Sequence, residues 1–244
     1  MNEELDFVKE MFDKISPKYD FLNRLLSFRQ DSFWRTQMVC AAKLPKDSHV
    51  MDVACGTCDV ALEVSAQLRG RVKIFGIDFS PGMLLLGRRK LLDKKNTSIT
   101  LVRADALNLP FKKNKFDAIF IAFGIRNIMD RKQALDEFHG ALKTGGRLVV
   151  LELTTPEKGF FRAIYLGYFK QILPVIGSFF SKHANAYRYL PESVLNFPAP
   201  ASFARTMRSA GFGQIRFKQM TFGIVTLFVG TKKTNPFKPK GTIV

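Results

Sequence analysis

The sequence predicts an α/β domain built on a doubly wound, mostly parallel sheet of seven strands, one of them antiparallel. Three observations predict it. From about Ser48 to Leu153, five short β-rich runs alternate with stretches of helical periodicity, the mark of a parallel sheet wrapped by helices. The run Phe116–Phe123 is apolar almost throughout, as in a strand buried on both faces. The last two β-rich runs, Gly213–Met220 and Gly223–Gly230, are separated only by Thr221 and Phe222, a hairpin signal that turns one strand against the rest.

Each element has its own warrant. Before Pro45 the pattern is helical, with amphipathic pieces at Leu5–Ile15 and Asp20–Leu26 and a longer one at Ser32–Ala42. His49–Ala54 is the first strand, and Asp59 to Leu68 the helix after it. Arg71–Ile77 is the second strand. Pro81–Leu92 follows as a helix, with proline at a favoured early position. Ser98–Arg103 and Phe116–Phe123 are the third and fourth strands. Arg131–Leu142 is helical and stops near Gly145-Gly146, and Arg147–Leu153 is the fifth strand. Phe160–Ser181 reads as an aromatic, interrupted helical insert, and Ala201–Ala210 as a helix ended by Gly211. The tail from Lys232, with four lysines and two prolines, reads as extended. One domain results, in five stretches: a helical cap (1–45), a core (46–154), a helical insert (155–200), a closing helix and hairpin (201–231) and a basic tail (232–244).

Composition narrows the function. With 244 residues, 46% hydrophobic and 24% charged, the chain is long enough for one well-buried core. The net charge of +17 points to a polyanionic partner, nucleic acid or anionic lipid, or to a solvated basic surface. Three cysteines are too few for a disulfide framework, and the acidic start Met1–Asp6 has no signal-peptide pattern, so a cytoplasmic location is expected. Phe160–Phe180 is the most apolar long stretch, but Arg162, Lys170 and Pro174 interrupt it.

In sheets of this kind ligands bind beyond the carboxyl ends of the strands, at the switch point. The loop Asp52–Asp59 after the first strand admits three readings: a plain strand-to-helix turn, a Cys55-x-x-Cys58 redox motif, or a cofactor loop. Zinc is a weaker reading, since no set of four ligands stands at a recognised spacing, and no metal is expected. Asp78 ends the second strand 22 residues after Gly56, where a carboxylate receives a ribose diol. A nicotinamide site would need G-x-G-x-x-G for its pyrophosphate, and this loop has one glycine. S-adenosylmethionine carries no phosphate and suits a glycine-poor loop with several carboxylates. Asp52, Asp78 and Asp105 stand at three successive strand ends and fit an adenosine with a cationic tail.

Several motifs then carry a resemblance over Phe12 to Lys232. Tyr19-Asp20-Phe21-Leu22-Asn23 with Leu26-Ser27 and Trp34, Phe123-Gly124-Ile125-Arg126-Asn127, Leu142–Gly146 leading to Leu151–Thr154, Leu173–Gly177, Tyr187–Ser193 and Thr221–Ile224 occur in order. Together they resemble the UbiE/MenG family of quinone C-methyltransferases. The resemblance implies the class I S-adenosylmethionine-dependent methyltransferase fold. It places Thr57, Asp78 and the pair Asp105-Ala106 on cofactor positions, beside Asp52 and Gly56 from the loop reading.

It also implies methyl transfer to a ring carbon of an isoprenoid quinol, demethylmenaquinol before a ubiquinone-pathway benzoquinol. Arg126 is then the candidate to stabilise the quinol oxyanion, with a salt bridge to Asp130 as its structural alternative. Asn127 and Tyr19 are candidates to bond the quinol oxygens. The resemblance gives the basic surface an anionic membrane as partner, at the inner face, and leaves homo-oligomerisation open.

Departures from the family pattern are Ala122 for serine, Asp31 for histidine, Thr144 for proline, Phe228 for histidine and Cys58 for glycine. At Cys58 a positive φ would be strained. An RNA methyltransferase is the rival suggested by charge, but the basic residues are scattered and no RNA-binding module is present, so no nucleic-acid partner is expected. A thiol–disulfide oxidoreductase rests only on Cys55 and Cys58.

Overall fold

The computed structural model describes residue 24 and residues 27–156, 159–167 and 184–233. In chain order the elements are α1 (Gln30–Ala42), β1 (Ser48–Val53), α2 (Asp59–Gln67), β2 (Val72–Asp78), α3 (Pro81–Asp93), β3 (Ile99–Arg103) and β4 (Phe116–Ala122). A 3-10 turn at Ile125–Asn127 precedes α4 (Arg131–Ala141) and β5 (Leu142–Leu153). Then come α5 (Phe160–Gly167), α6 (Ala184–Leu195), α7 (Pro200–Ser209), β6 (Phe212–Met220) and β7 (Val225–Lys232). The expected helices at Leu5–Ile15 and Asp20–Leu26, the insert past Gly167 and most of the tail lie outside the described residues.

The seven strands form one sheet in the order β3-β2-β1-β4-β5-β7-β6. Strands β1 to β5 pair in parallel, and β7 runs antiparallel to both β5 and β6. This is the predicted doubly wound architecture with one reversed strand. Alternation sends successive side chains to opposite faces. Val50, Ala118, Phe120, Val149 and Leu151 join one core beneath α1, α2 and α3. Met51, Val53, Ile121, Leu148 and Val150 join the other, against α4 and α7. Apolar runs such as Ile119-Phe120-Ile121, with no exposed surface, follow from helices covering both faces.

Of the boundaries that differ from expectation, two have a clear physical reason. Strand β5 begins at Leu142, because α4 ends at Ala141 and the chain pairs at once with Phe116. It regains register only at Arg147 opposite Ala118, with Gly145 at φ 79° in the excursion. A Cβ on Gly146 would stand 2.8 Å from the Lys143 carbonyl oxygen, so no other residue fits there. Strand β7 starts at Val225 rather than Gly223, since Thr221, Phe222 and Gly223 all have positive φ and form a tight 3-10 turn.

Helix α1 packs directly on the sheet. Trp34, Met38, Val39 and Ala42 of α1 pack into the first core with Leu227 and Val229 of β7. Trp34 Nε1–H donates to Thr221 Oγ1 at 2.9 Å, and Arg147 Nη1–H donates to the Ala42 carbonyl at 2.7 Å.

Candidate functional site

The register brings four strand ends to one level. Val53 faces Ile77 on one side and Ile121 on the other, and Asp78 faces Arg103. The loops that follow these ends therefore crowd the switch point between β1 and β4. Contact there is close, for a Cβ on Gly124 would lie 2.7 Å from the Cβ of Ala54.

Asp78 ties the first two loops together. The Gly56 N–H donates to its Oδ2 at 2.8 Å and the Ser80 N–H to its Oδ1 at 2.9 Å. These bonds hold the carboxylate at the end of β2, level with the loop after β1. Asp105 turns its own loop, its Oδ1 accepting from the Leu107 N–H at 2.9 Å, with half-buried Ala106 between. Thr57 is buried and its hydroxyl accepts from Lys90 Nζ at 3.2 Å.

Asp52 is buried beneath the first turn of α2, where its Oδ2 accepts from the Ala61 N–H at 3.1 Å. Burial outweighs that bond and, with repulsion from Asp78 and Asp59 added, raises its pKa to about 8. Such a group is poised for a cation: a positive charge above the loop would draw off its proton.

The redox reading of the same loop fails. Cys55 and Cys58 are both buried and unbridged. The hydrogen bond to the Cys58 side chain, and then burial, push the Cys55 thiol well above its ordinary range. A catalytic dithiol needs an accessible thiolate and a lowered pKa. Cys58 instead fills space against Gly87, and its φ of 71° is the left-handed conformation suspected from its departure from glycine.

On the other side of the switch point, Arg126 sits in the 3-10 turn after β4 and is 9% exposed. Its Nη1 donates to Glu152 Oε1 at 2.7 Å and to the Phe123 carbonyl, and its Nε to Ser193 Oγ at 3.3 Å. The Arg126 backbone N–H also reaches Glu152, at 3.1 Å. Its salt-bridge partner is thus Glu152 on β5, not Asp130, which caps α4 by accepting from the Gln133 N–H. Beside it, Asn127 Oδ1 accepts from the Tyr189 hydroxyl at 3.1 Å. Tyr19 lies outside the described residues.

Glu152, Tyr189 and Ser193 are site residues that the sequence argument named only inside longer motifs. Of the departures, Asp31 is buried and held by Ser27 and Arg35, and Phe228 is a fully buried ring packed on Phe203 at 4.9 Å. Apolar packing replaces a polar side chain there without touching the site.

Comparison with known proteins gives the family and the fold. The family model described as the ubiE/COQ5 methyltransferase family matches residues 1–232. The chain is 46% identical over 233 residues to the ubiquinone/menaquinone biosynthesis C-methyltransferase UbiE of Geobacter sulfurreducens, covering 95% of this chain and 91% of that one. It is 44% identical over 222 residues to the demethylmenaquinone methyltransferase of Thermus thermophilus, covering 91% and 100%. Among solved structures, a SAM-dependent methyltransferase of Thermotoga maritima superposes with a TM-score of 0.64 at 20% identity, over 92% of this chain and 99% of that one. At that identity the likeness speaks for the fold alone.

Proposed function

The chain belongs to the ubiE/COQ5 methyltransferase family, with the fold of class I S-adenosylmethionine-dependent methyltransferases, and from that premise we propose that it C-methylates demethylmenaquinol. The observation that carries the reading is the pairing of two half-sites across one switch point. Asp78 locked to the Gly56 amide lies on one side, and Arg126 locked to Glu152 lies on the other.

On the cofactor side, Asp78 offers acceptors to the ribose hydroxyls, Asp105 to the adenine amino group with Ala106 against its ring, and Gly56 and Thr57 line the loop. Asp52 answers the cationic tail. When bound, S-adenosylmethionine supplies an electrophilic methyl group on sulfur. The remaining work is alignment and charge.

On the quinol side, the chain has to favour loss of a phenolic proton, so that the oxygen pushes electron density onto the adjacent ring carbon. Arg126 holds a permanent cation at the mouth and favours the oxyanion, with a water taking the proton, since a guanidinium is a poor base. Asn127, oriented by Tyr189, and Tyr19 bond the ring oxygens. Glu152 neutralises part of the Arg126 charge and fixes its position. The isoprenoid tail places the enzyme at the inner face of the membrane, and among the described residues no helix is long and apolar enough to cross it.

Incubation with methyl-labelled S-adenosylmethionine and each demethylated quinol tests the assignment. Label in menaquinol is expected. Label only in the benzoquinol would reassign the substrate, and label in neither would remove the activity.

A further inference from the structure

A second cleft, of about 730 Å³, opens on the flank of the helix layer between α1, α2 and α3. Among the described residues five cations line it: Arg24, Arg29, Arg35, Lys90 and Lys94. Among the described residues three carboxylates share the wall, and two of them are spent within it. Asp59 meets Lys90 at 2.6 Å and Arg35 at 3.3 Å, and Asp31 also pairs with Arg35. The third, Glu63, accepts from Gln67 and Thr36. Arg24, Arg29 and Lys94 meet no carboxylate within ion-pair distance among the described residues, and all three are exposed. Counted over the described residues the cleft therefore keeps a positive surplus, and two of its uncommitted cations are guanidinium groups, the shape that grips a phosphate with two parallel bonds. Ser32 and Asn96 add neutral donors to the lining.

Its borders are apolar where they should be wet. Phe28, next to Arg29, is 81% exposed, and Phe33, next to Ser32, is 52% exposed. Phe28 and Arg29 both have positive φ, so the turn into α1 carries strain while presenting a ring to solvent. Exposed rings beside uncommitted cations are the make-up of a surface that lies in a headgroup layer.

We propose that this cleft is a headgroup site for anionic phospholipid, with the phosphodiester among Arg24, Arg29 and Lys94 and with Phe28 and Phe33 lowered into the adjoining acyl region. The surplus charge matches an anionic headgroup, and a soluble phosphorylated ligand would have no use for the rings. The proposal assigns a surface that the quinol reading leaves unassigned, and its residues stand whatever the methyl acceptor is. Lys90 also joins the cleft to the cofactor loop, because its ammonium reaches both Asp59 and Thr57.

Co-sedimentation of the full chain with phosphatidylglycerol-containing vesicles tests it, beside vesicles of phosphatidylcholine alone. Arg24→Ala/Arg29→Ala/Lys94→Ala is expected to lose on the order of 30-fold or more in affinity for the anionic vesicles. The control Lys73→Ala/Lys112→Ala/Lys113→Ala removes as many charges from the opposite, amino-terminal end of the sheet and should lose less than about 3-fold. Phe28→Ser/Phe33→Ser should release the protein at salt concentrations where wild type still binds. Equal losses in the two triple variants would overturn the proposal in favour of diffuse charge. Displacement by free glycerol phosphate, with the Phe variant binding as wild type, would overturn it in favour of a soluble ligand. Methyl-donor affinity, unchanged in every variant, reports that the fold is intact, and turnover of a short-tailed quinol tests the catalytic reading separately.

Discussion

Arg126 and Glu152 form a 2.7 Å ion pair in which the carboxylate is wholly buried and the guanidinium side chain nearly so. The pair joins the turn after β4 to the end of β5, so it shapes the mouth of the site whatever else Arg126 does. Removing one partner strands the other charge in a dry place. Glu152→Ala is expected to cost about 3–5 kcal/mol of stability, read as a drop in denaturant midpoint. The double variant Arg126→Met/Glu152→Leu should recover most of that loss and remain inactive. Recovery of turnover in the double variant would show that Arg126 acts only as a strut.

Asp52 sets a dependence on pH. Its folded pKa of about 8 lies above the ordinary 3.8, so between these values the folded protein holds a proton that the unfolded chain has released. By linkage, stability falls as pH rises through that window and levels off above it. Asp52→Asn keeps an oxygen for the Ala61 amide and should flatten the fall, measured as melting temperature against pH. Wild type should also release a proton on binding the methyl donor near neutral pH, seen as a buffer-dependent calorimetric heat that the variant lacks. An unchanged profile in Asp52→Asn would assign the titration elsewhere.

Cys58→Gly tests the strained corner of the loop. Glycine relieves a left-handed cost of about 1–2 kcal/mol, and loses a buried thiol that packs on Gly87. The two nearly cancel, so stability should stay within about 1 kcal/mol of wild type, with methyl-donor affinity undiminished. A tenfold weaker affinity would give the thiol a part in binding.

Tyr189→Phe removes the hydroxyl that donates to Asn127. One net hydrogen bond contributes about 0.5–1.5 kcal/mol, so kcat/KM for the quinol should fall roughly 3- to 10-fold with methyl-donor affinity unchanged. A loss confined to methyl-donor binding would place Tyr189 on the other half-site.

What the sequence disclosed follows from how local each signal is. Strands such as Phe116–Ala122 are legible because helices on both faces demand unbroken apolar runs, and Asp78 because its distance from Gly56 reflects one strand–helix–strand unit. The partner of Arg126 was not legible. Asp130 is near in sequence, whereas Glu152 is near only because Ala122 pairs with Leu151 across the sheet. Tyr189 reaches Asn127 from an element 62 residues away, and no periodicity announces that. The positive φ at Cys58 was foreseeable from glycine being usual there, but its packing on Gly87 needed the third dimension.

The bond from Trp34 to Thr221 spans 187 residues, and the turn it anchors closes only after β6 is in place. A nascent chain therefore leaves Trp34 without this bond until nearly all of the domain has emerged. Until then only the part of that helix's apolar side that packs toward Leu227 and Val229 of β7 stays open to chaperones or to neighbouring copies, the rest being covered by α2 and β5. Splitting the chain after β5 should yield a soluble product only when the two pieces are supplied together.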